Sequence, residues 1–188
     1  MKVLIIGGNG QLGKSLFNTK PENLDLISYS KEEFNLLDID NCLKKIEKVK
    51  PNYVINAAAY TAVDKAETES ELVEIVNAKN PYKIACSLEN LGGKFIQIST
   101  DFVFNGLKSS PYQTNDELLP LNEYGKSKAL CEKLLVELSN TKIIRTSWLY
   151  SPFGKNFCLT MLRLHKTCLD KEVPLRVVSD QISCPTSS

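Results

Sequence analysis

Two residues four positions apart, Tyr124 and Lys128, form the pair in this sequence best suited to proton transfer. On a helix, positions i and i+4 lie on one face, so both side chains can reach the same ligand. As a cation, Lys128 would lower the pKa of the Tyr124 phenol and could also bind a ribose hydroxyl. Tyr124 could then give a proton to a ketone oxygen while a hydride reaches the carbon. The spacing alone is weak evidence, because chains with this many tyrosines and lysines contain it by chance.

Residues at the ends of two apolar runs could complete such a site. Ser99, Thr100 and Asp101 follow one run, and Thr100 could hydrogen-bond the same ketone oxygen. The segment Asn56–Tyr60 ends another run, and its small side chains would let ligands lie against the backbone. The alternatives are a local serine/threonine turn or helix cap in the first case and tight packing in the second. Ligands bind outside the carboxyl ends of parallel strands, so the order of these residues favours one site.

A glycine-rich loop, Gly7-Gly8-Asn9-Gly10-Gln11-Leu12-Gly13, follows the first apolar run and precedes an amphipathic stretch. Gly7 suits a tight turn, Gly10 lets backbone N–H groups approach a pyrophosphate, and Gly13 lets a helix pack closely on a sheet. The N-terminus of that helix would attract the anionic phosphates. The loop therefore predicts a dinucleotide site.

The end of the second apolar run bears on which dinucleotide binds. An NAD site usually places an acid there, which binds the ribose 2′-hydroxyl. Here the sequence reads Ser28-Tyr29-Ser30-Lys31, and a lysine with hydroxyls suits a 2′-phosphate better. NADPH is therefore favoured, although Glu32 and Glu33 follow directly and leave NADH open. Asp38 could reach the adenine amine or could equally be a turn residue before a helix cap.

Short apolar runs alternate with amphipathic stretches as far as Arg145. Continuous apolar runs predict buried strands, and apolar residues spaced by three or four predict helices. The predicted strands are Lys2–Ile6, Leu24–Ser28, Asn52–Asn56, Lys94–Ile98 and Lys142–Arg145. The predicted helices are Gln11–Asn18, Asp40–Lys50, Glu69–Asn77, Pro81–Leu91 and Glu123–Leu138. This alternation predicts an α/β fold with a doubly wound parallel sheet of the Rossmann type.

The pattern changes after Arg145. A loop-like stretch is followed by a predicted helix over Asn156–Leu169 and a predicted strand over Pro174–Val178. We expect residues 1–150 to form an NAD(P)-binding Rossmann domain. We expect residues 151–188 to be the truncated start of a substrate-binding lobe.

Composition excludes several classes of function. The chain has 188 residues, and its 23 basic side chains nearly balance its 22 acidic ones, so no basic excess points to nucleic acid or an anionic membrane. No apolar run is long enough for a signal peptide core or a membrane span. The six cysteines never form Cys-x-x-Cys, and there is one histidine, His165, so no metal site is expected. A cytoplasmic protein with reduced thiols is the expectation.

Taken together, the motifs resemble the extended short-chain dehydrogenase/reductases, and within them the dTDP-4-dehydrorhamnose reductase family. The matching segments run along almost the whole chain and are Gly7–Gly13, Asn56–Glu67, Ser99–Gly106, Tyr124–Lys128, Arg145–Tyr150 and Asp180–Thr186. The resemblance implies NADPH-dependent reduction of dTDP-4-dehydro-L-rhamnose to dTDP-L-rhamnose. Hydride would reach the C4 ketone, and Tyr124 would give the proton.

The resemblance also implies roles residue by residue. Thr100, Tyr124 and Lys128 match the family's catalytic set. The predicted cofactor-binding residues, including those at the end of the second strand, are Gly7, Gly10, Gln11, Leu12, Ser30, Lys31, Asp38, Ile39, Ala57, Ala58, Ala59, Tyr60, Tyr124 and Lys128. The predicted substrate-binding residues are Val63, Asp64, Thr100 and Trp148. NADH in place of NADPH, a Mg²⁺ ion and a homodimer are possible, but the sequence does not establish any of them.

Two departures from the family pattern stand out. Ser183 occupies a position where the family has glycine, and a positive φ there would strain a serine. Family members also run on past Ser188, so we expect cofactor binding to survive better than catalysis. One alternative is a cofactor-binding regulatory subunit similar to that of methionine adenosyltransferase. Another is a nucleotide-sugar epimerase or dehydratase, although Phe102 follows Asp101 where a dehydratase has a second acid.

Overall fold

A computed structural model that describes all of residues 1–188 contains one five-stranded parallel sheet. Its strands are β1 Lys2–Ile6, β2 Asp25–Tyr29, β3 Tyr53–Asn56, β4 Lys94–Thr100 and β5 Thr141–Thr146. They lie in the order β2-β1-β3-β4-β5, so the direction of winding reverses between β1 and β3. In the register, Leu4 pairs with Ile27 on one side and with Val54 on the other. The predicted Rossmann-type α/β fold is confirmed.

Seven helices connect and flank these strands. They are α1 Gln11–Asn18, α2 Ile39–Val49, α3 Val63–Ala66, α4 Ser70–Glu74, α5 Asn80–Asn90, α6 Glu123–Leu135 and α7 Phe157–Asp170. Side-chain caps fix where three of them begin: Asp38 accepts from Asn41 N, Asn122 from Gly125 N and Asn156 from Leu159 N. Each cap satisfies a backbone N–H that has no partner within the helix. No helix of the chain is both long and apolar enough to cross a membrane.

The alternation of side chains along each strand divides the packing between the two faces of the sheet. On one face, Leu4, Val54 and Phe95 are fully buried in a core that α2, α5 and α6 complete. On the other face, Ile5 and Ile55 line a smaller apolar cavity beside α1. Helices on both faces make the sheet doubly wound and hold its strand ends in place.

Two predictions from the sequence are wrong in detail. Residues 174–178 form no strand, because no neighbouring strand offers them a hydrogen-bonding partner. The two helices predicted over 69–91 form one continuous helical run, in which a π-helical turn, Ile75–Lys79, joins α4 to α5.

Candidate active site

A cavity of about 720 Å³ opens at the carboxyl ends of the strands, beside the point where the strand order reverses. Its walls come from the glycine loop after β1, the segment after β2, the alanine run after β3, the end of β4, α6 and the segment after β5. Open α/β sheets bind ligands in this crevice. The volume lies within the range usual for cofactor and substrate sites.

The glycine loop fits closely against the alanine run. Gly7 has φ of +88°, and a Cβ there would lie 2.8 Å from Ala58 N, so only glycine fits. Gly7 N and Gly8 N both donate to Tyr29 O, at 3.1 and 2.7 Å, which ties the loop to β2. The first i to i−4 bond of α1 runs from Lys14 N to Gly10 O. The amides of Gln11, Leu12 and Gly13 therefore have no helical carbonyl to bind and suit a pyrophosphate.

In the segment after β2, hydrogen bonds hold Glu33 in a local turn. Ser30 N donates to Glu33 Oε2 at 2.8 Å, and Glu33 N donates back to Ser30 Oγ at 3.2 Å. These hydrogen bonds hold the pKa of Glu33 below its usual value. Lys31, by contrast, lines the cavity. Lys31 therefore forms part of the cavity wall, while Glu33 is bonded within its own turn.

The three predicted catalytic residues all line this cavity. Thr100 Oγ1 donates to Asp101 Oδ1 at 3.1 Å and accepts from Phe102 N at 3.2 Å. Lys128 is 2% exposed, and its Nζ donates to Ile98 O at 2.7 Å. The Tyr124 ring packs edge-on against Phe102, with ring centroids 5.7 Å apart. The end of β4 and the first turns of α6 thus bring the hydroxyl, the phenol and the ammonium to one wall.

Burial shifts the pKa values of Tyr124 and Lys128 in opposite directions. It raises the pKa of Tyr124, an effect that the Thr100 hydroxyl partly offsets. Burial also lowers the pKa of Lys128, which nearby Cys131 and Glu132 partly offset. That Lys128 lowers the pKa of the Tyr124 phenol stays a prediction: here the ammonium donates to Ile98 O, and burial sets the direction of the Tyr124 shift. The raised pKa means that Tyr124 is a protonated phenol at neutral pH.

Sequence reasoning missed Asn77, which connects two walls of the cavity. It lies in the π-helical turn and is 1% exposed. Its Oδ1 accepts from Tyr60 N at 2.7 Å, and its Nδ2 donates to Tyr60 O at 3.1 Å and to Ser127 Oγ at 3.0 Å. Since Ser127 lies between Tyr124 and Lys128 on α6, Asn77 fixes that helix against the alanine run. An asparagine on the apolar side of a helical pattern was the available signal.

The structure brings most, but not all, of the predicted binding residues to the cavity. Ser30, Asp38, Ile39 and Asp64 are not among the lining residues. Asp38 instead caps the N-terminus of α2, close to the alternative role of a turn residue before a helix that the sequence left open for it. Four residues that were not predicted, Phe34, Asn35, Leu36 and Leu37, line the cavity near that end of β2.

On the substrate side, Val63 and Trp148 line the cavity. Trp148 has φ of +45°, which is unusual for a residue other than glycine. The centroid of its ring lies 5.3 Å from that of Phe157. Ser183, in contrast, does not have a positive φ, so the conditional expectation of strain there does not apply.

Comparison with known proteins agrees with this geometry. A dTDP-4-dehydrorhamnose reductase of Burkholderia thailandensis is 38% identical over 187 residues, which cover 99% of this chain and 61% of that protein. The crystal structure of a dTDP-4-dehydrorhamnose reductase from Clostridium acetobutylicum superposes with a TM-score of 0.93 at 39% identity and covers all of this chain. The crystal structure of the Bacillus anthracis dTDP-4-dehydrorhamnose reductase in complex with NADP superposes with a TM-score of 0.84 at 38% identity and covers 88% of this chain.

The chain spans 60% to 66% of the lengths of these three proteins. Residues 1–188 match the family described as RmlD substrate binding domain. The match extends over the glycine loop, the end of β4, the Tyr124–Lys128 pair and the segment after β5. The chain therefore belongs to the RmlD substrate-binding domain family.

Proposed function

We propose that this chain carries the cofactor site and the proton-transfer residues of an NADPH-dependent reductase that converts dTDP-4-dehydro-L-rhamnose to dTDP-L-rhamnose. The observation that carries the proposal is the position of the glycine loop, Thr100, Tyr124 and Lys128 in one cavity. Residues 1–150 form the cofactor domain in this proposal, and residues 151–188 begin the substrate lobe. Names of similar proteins support the reaction class.

The cavity has the features that a dinucleotide phosphate needs. Gly7 lets the loop pack against the alanine run, and the amides at the start of α1 offer donors. When bound, NADPH supplies the hydride. Lys31 is the residue placed to contact the 2′-phosphate, whereas Glu33 is hydrogen-bonded to Ser30 and does not line the cavity. These contacts favour NADPH over NADH.

The residues of the chain then have distinct tasks in the reduction. Thr100 donates a hydrogen bond to the ketone oxygen after leaving Asp101, and Tyr124 gives that oxygen a proton. Lys128 exchanges its bond to Ile98 O for a ribose hydroxyl of the cofactor. Tyr124 is a protonated phenol at neutral pH, since burial raises its pKa.

The test compares NADPH binding, followed by the fluorescence of the nicotinamide, with NADPH oxidation in the presence of dTDP-4-dehydro-L-rhamnose. A Tyr124→Phe variant should bind NADPH as the wild type does but turn over roughly 10²- to 10⁴-fold more slowly, since general acid catalysis contributes that much. Tyr53→Phe, in the sheet beside the smaller cavity, is the matched control. Undiminished turnover by Tyr124→Phe would refute the proton-transfer role. Absence of NADPH binding by the wild type would refute the proposed function.

A further inference from the structure

The last residues of the chain run alongside the segment that follows β5. Thr186 N donates to Ser147 O at 3.0 Å, Tyr150 N donates to Thr186 O at 3.0 Å, and Ser188 N donates to Tyr150 O at 3.1 Å. Tyr150 and Ser187 pair in parallel orientation. Ser188 Oγ also lies 3.1 Å from Ser15 Oγ of α1. Backbone hydrogen bonds therefore hold the chain on both sides of Trp148.

Trp148 needs such support. Its φ of +45° lies in the left-handed region, where a residue other than glycine is strained unless its surroundings hold it. Ser147 N donates to Thr186 Oγ1 at 3.3 Å, in addition to the backbone bond between the same two residues. Phe157 contacts the indole from the start of α7. Thr186 thus fixes the residue immediately before the strained position.

Ser183 makes a second connection, to the wall that carries Thr100. Its hydroxyl lies against Ser147 Oγ and donates to Asp101 Oδ2 at 3.3 Å, and Ser147 Oγ donates to the same oxygen at 2.6 Å. The other oxygen, Asp101 Oδ1, accepts from Thr100 Oγ1. One carboxylate therefore joins Ser183 and Ser147 to the Thr100 hydroxyl.

We infer that residues 183–188 form a strap that positions Trp148 and Asp101 on the cavity wall, with Ser183 and Thr186 as its positioning residues. Through Asp101, the strap also sets the direction of the Thr100 hydroxyl. The consequence for reduction rests on the proposed function, whereas the position of Trp148 does not.

Trp148 is the only tryptophan of the chain, so its emission reports on this position directly. Without cofactor, the double variant Ser183→Ala/Thr186→Val should raise the acrylamide quenching constant of Trp148 by roughly two-fold, because each lost hydrogen bond weakens the held arrangement. The control variant Ser110→Ala/Thr114→Val changes two exposed side chains of the loop after β4 and should leave quenching unchanged. Thr186→Ser keeps the hydroxyl and should behave as the wild type. An unchanged quenching constant in the double variant overturns the inference.

A kinetic measurement separates positioning from general weakening of the fold. In the double variant, kcat for NADPH oxidation should fall several-fold while the Kd for NADPH stays within two-fold, because the strap contacts the wall that carries Thr100 and not the phosphate loop. Loss of NADPH affinity with unchanged kcat would contradict the role of the strap in positioning Thr100. Failure of the wild type to bind NADPH would count against the proposed function alone, since the quenching experiment contains no cofactor.

Discussion

Tyr124 and Lys128 lie in the same wall, and burial shifts their pKa values in opposite directions. The pKa of Tyr124 lies above its usual 10.0 and that of Lys128 below its usual 10.5, since burial favours the neutral form of each. Each group is therefore neutral over a wider range of pH than the free side chain. For Lys128, whose ammonium we propose to bind the cofactor ribose, the charge is lost at a lower pH than in a solvated lysine.

The lowered pKa of Lys128 predicts the alkaline limit of the proposed cofactor binding. The Kd for NADPH should rise with pH below 10.5 in the wild type and be nearly independent of pH there in Lys128→Met, which lacks the charge. The same shift affects folding: the unfolded chain keeps the Lys128 proton up to 10.5, so between the folded-state pKa and 10.5 this residue adds stability as pH rises. Fluorescence titration at a series of pH values measures how the Kd for NADPH changes with pH. An equally steep rise of Kd with pH in Lys128→Met would assign the titration to another group.

Lys31 gives a second prediction at the scale of single residues. Lys31→Glu should weaken NADPH binding by at least about ten-fold, since it replaces a charge-assisted bond with repulsion, and should affect NADH little. Lys44→Glu, on the exposed side of α2, reproduces the change in net charge away from the cavity. Parallel titrations with both nucleotides measure the ratio of Kd values. Equal losses for NADPH and NADH would exclude contact with the 2′-phosphate.

At the scale of elements, one buried ion pair joins β4, α6 and β5. Glu132 of α6 is 3% exposed and accepts from Arg145 Nη2 at 2.6 Å and from Ser99 Oγ. Arg145 also donates to Thr114 O at 3.1 Å and lies over the Phe104 ring. This carboxylate thus holds together the strand end that carries Thr100, the helix that carries Lys128 and the loop between them.

Removing that carboxylate should therefore be costly. Glu132→Ala leaves the Arg145 guanidinium and the Ser99 hydroxyl without their acceptor, and breaking a buried pair from one side costs about 3 kcal/mol. Urea unfolding followed by circular dichroism measures the loss. Glu137→Ala, an exposed glutamate beyond the same helix, should cost less than about 0.5 kcal/mol. A loss for Glu132→Ala as small as that of the control would mean that the pair contributes little.

The elements show what a single sequence can and cannot predict. The five strands and the helices of residues 1–150 other than α3 carry continuous or periodic apolar residues, so local pattern located them within a few residues. The four-residue helix α3 was not predicted. The run Pro174–Val178 has the same local pattern, but a strand needs a neighbour, and the fold provides none there. The position of Lys128 at Ile98 O depends on a partner 30 residues away, which no spacing rule includes.

At the scale of the whole molecule, the burial of apolar side chains differs between the sheet with its core helices and α7. The sheet and the helices on its core face bury many of their apolar side chains completely, as Leu4, Ile46 and Phe95 illustrate. The helix α7 buries no residue, and its Leu162 and Leu169 are 68% and 63% exposed. Local opening requires less free energy where few apolar contacts are lost.

This difference predicts the pattern of amide hydrogen exchange. Peptides from α7 should exchange much faster than those from α2, although α7 has 14 residues and α2 only 11, because Cys42 and Ile46 anchor α2 in the core. Adding NADPH should slow exchange in the loop Gly7–Gly13 and leave α7 unchanged, since the phosphates would contact the start of α1. Exchange measured by mass spectrometry on the whole chain resolves these peptides. Protection of α7 equal to that of α2 without ligand would mean that contacts beyond those of the folded monomer hold this helix.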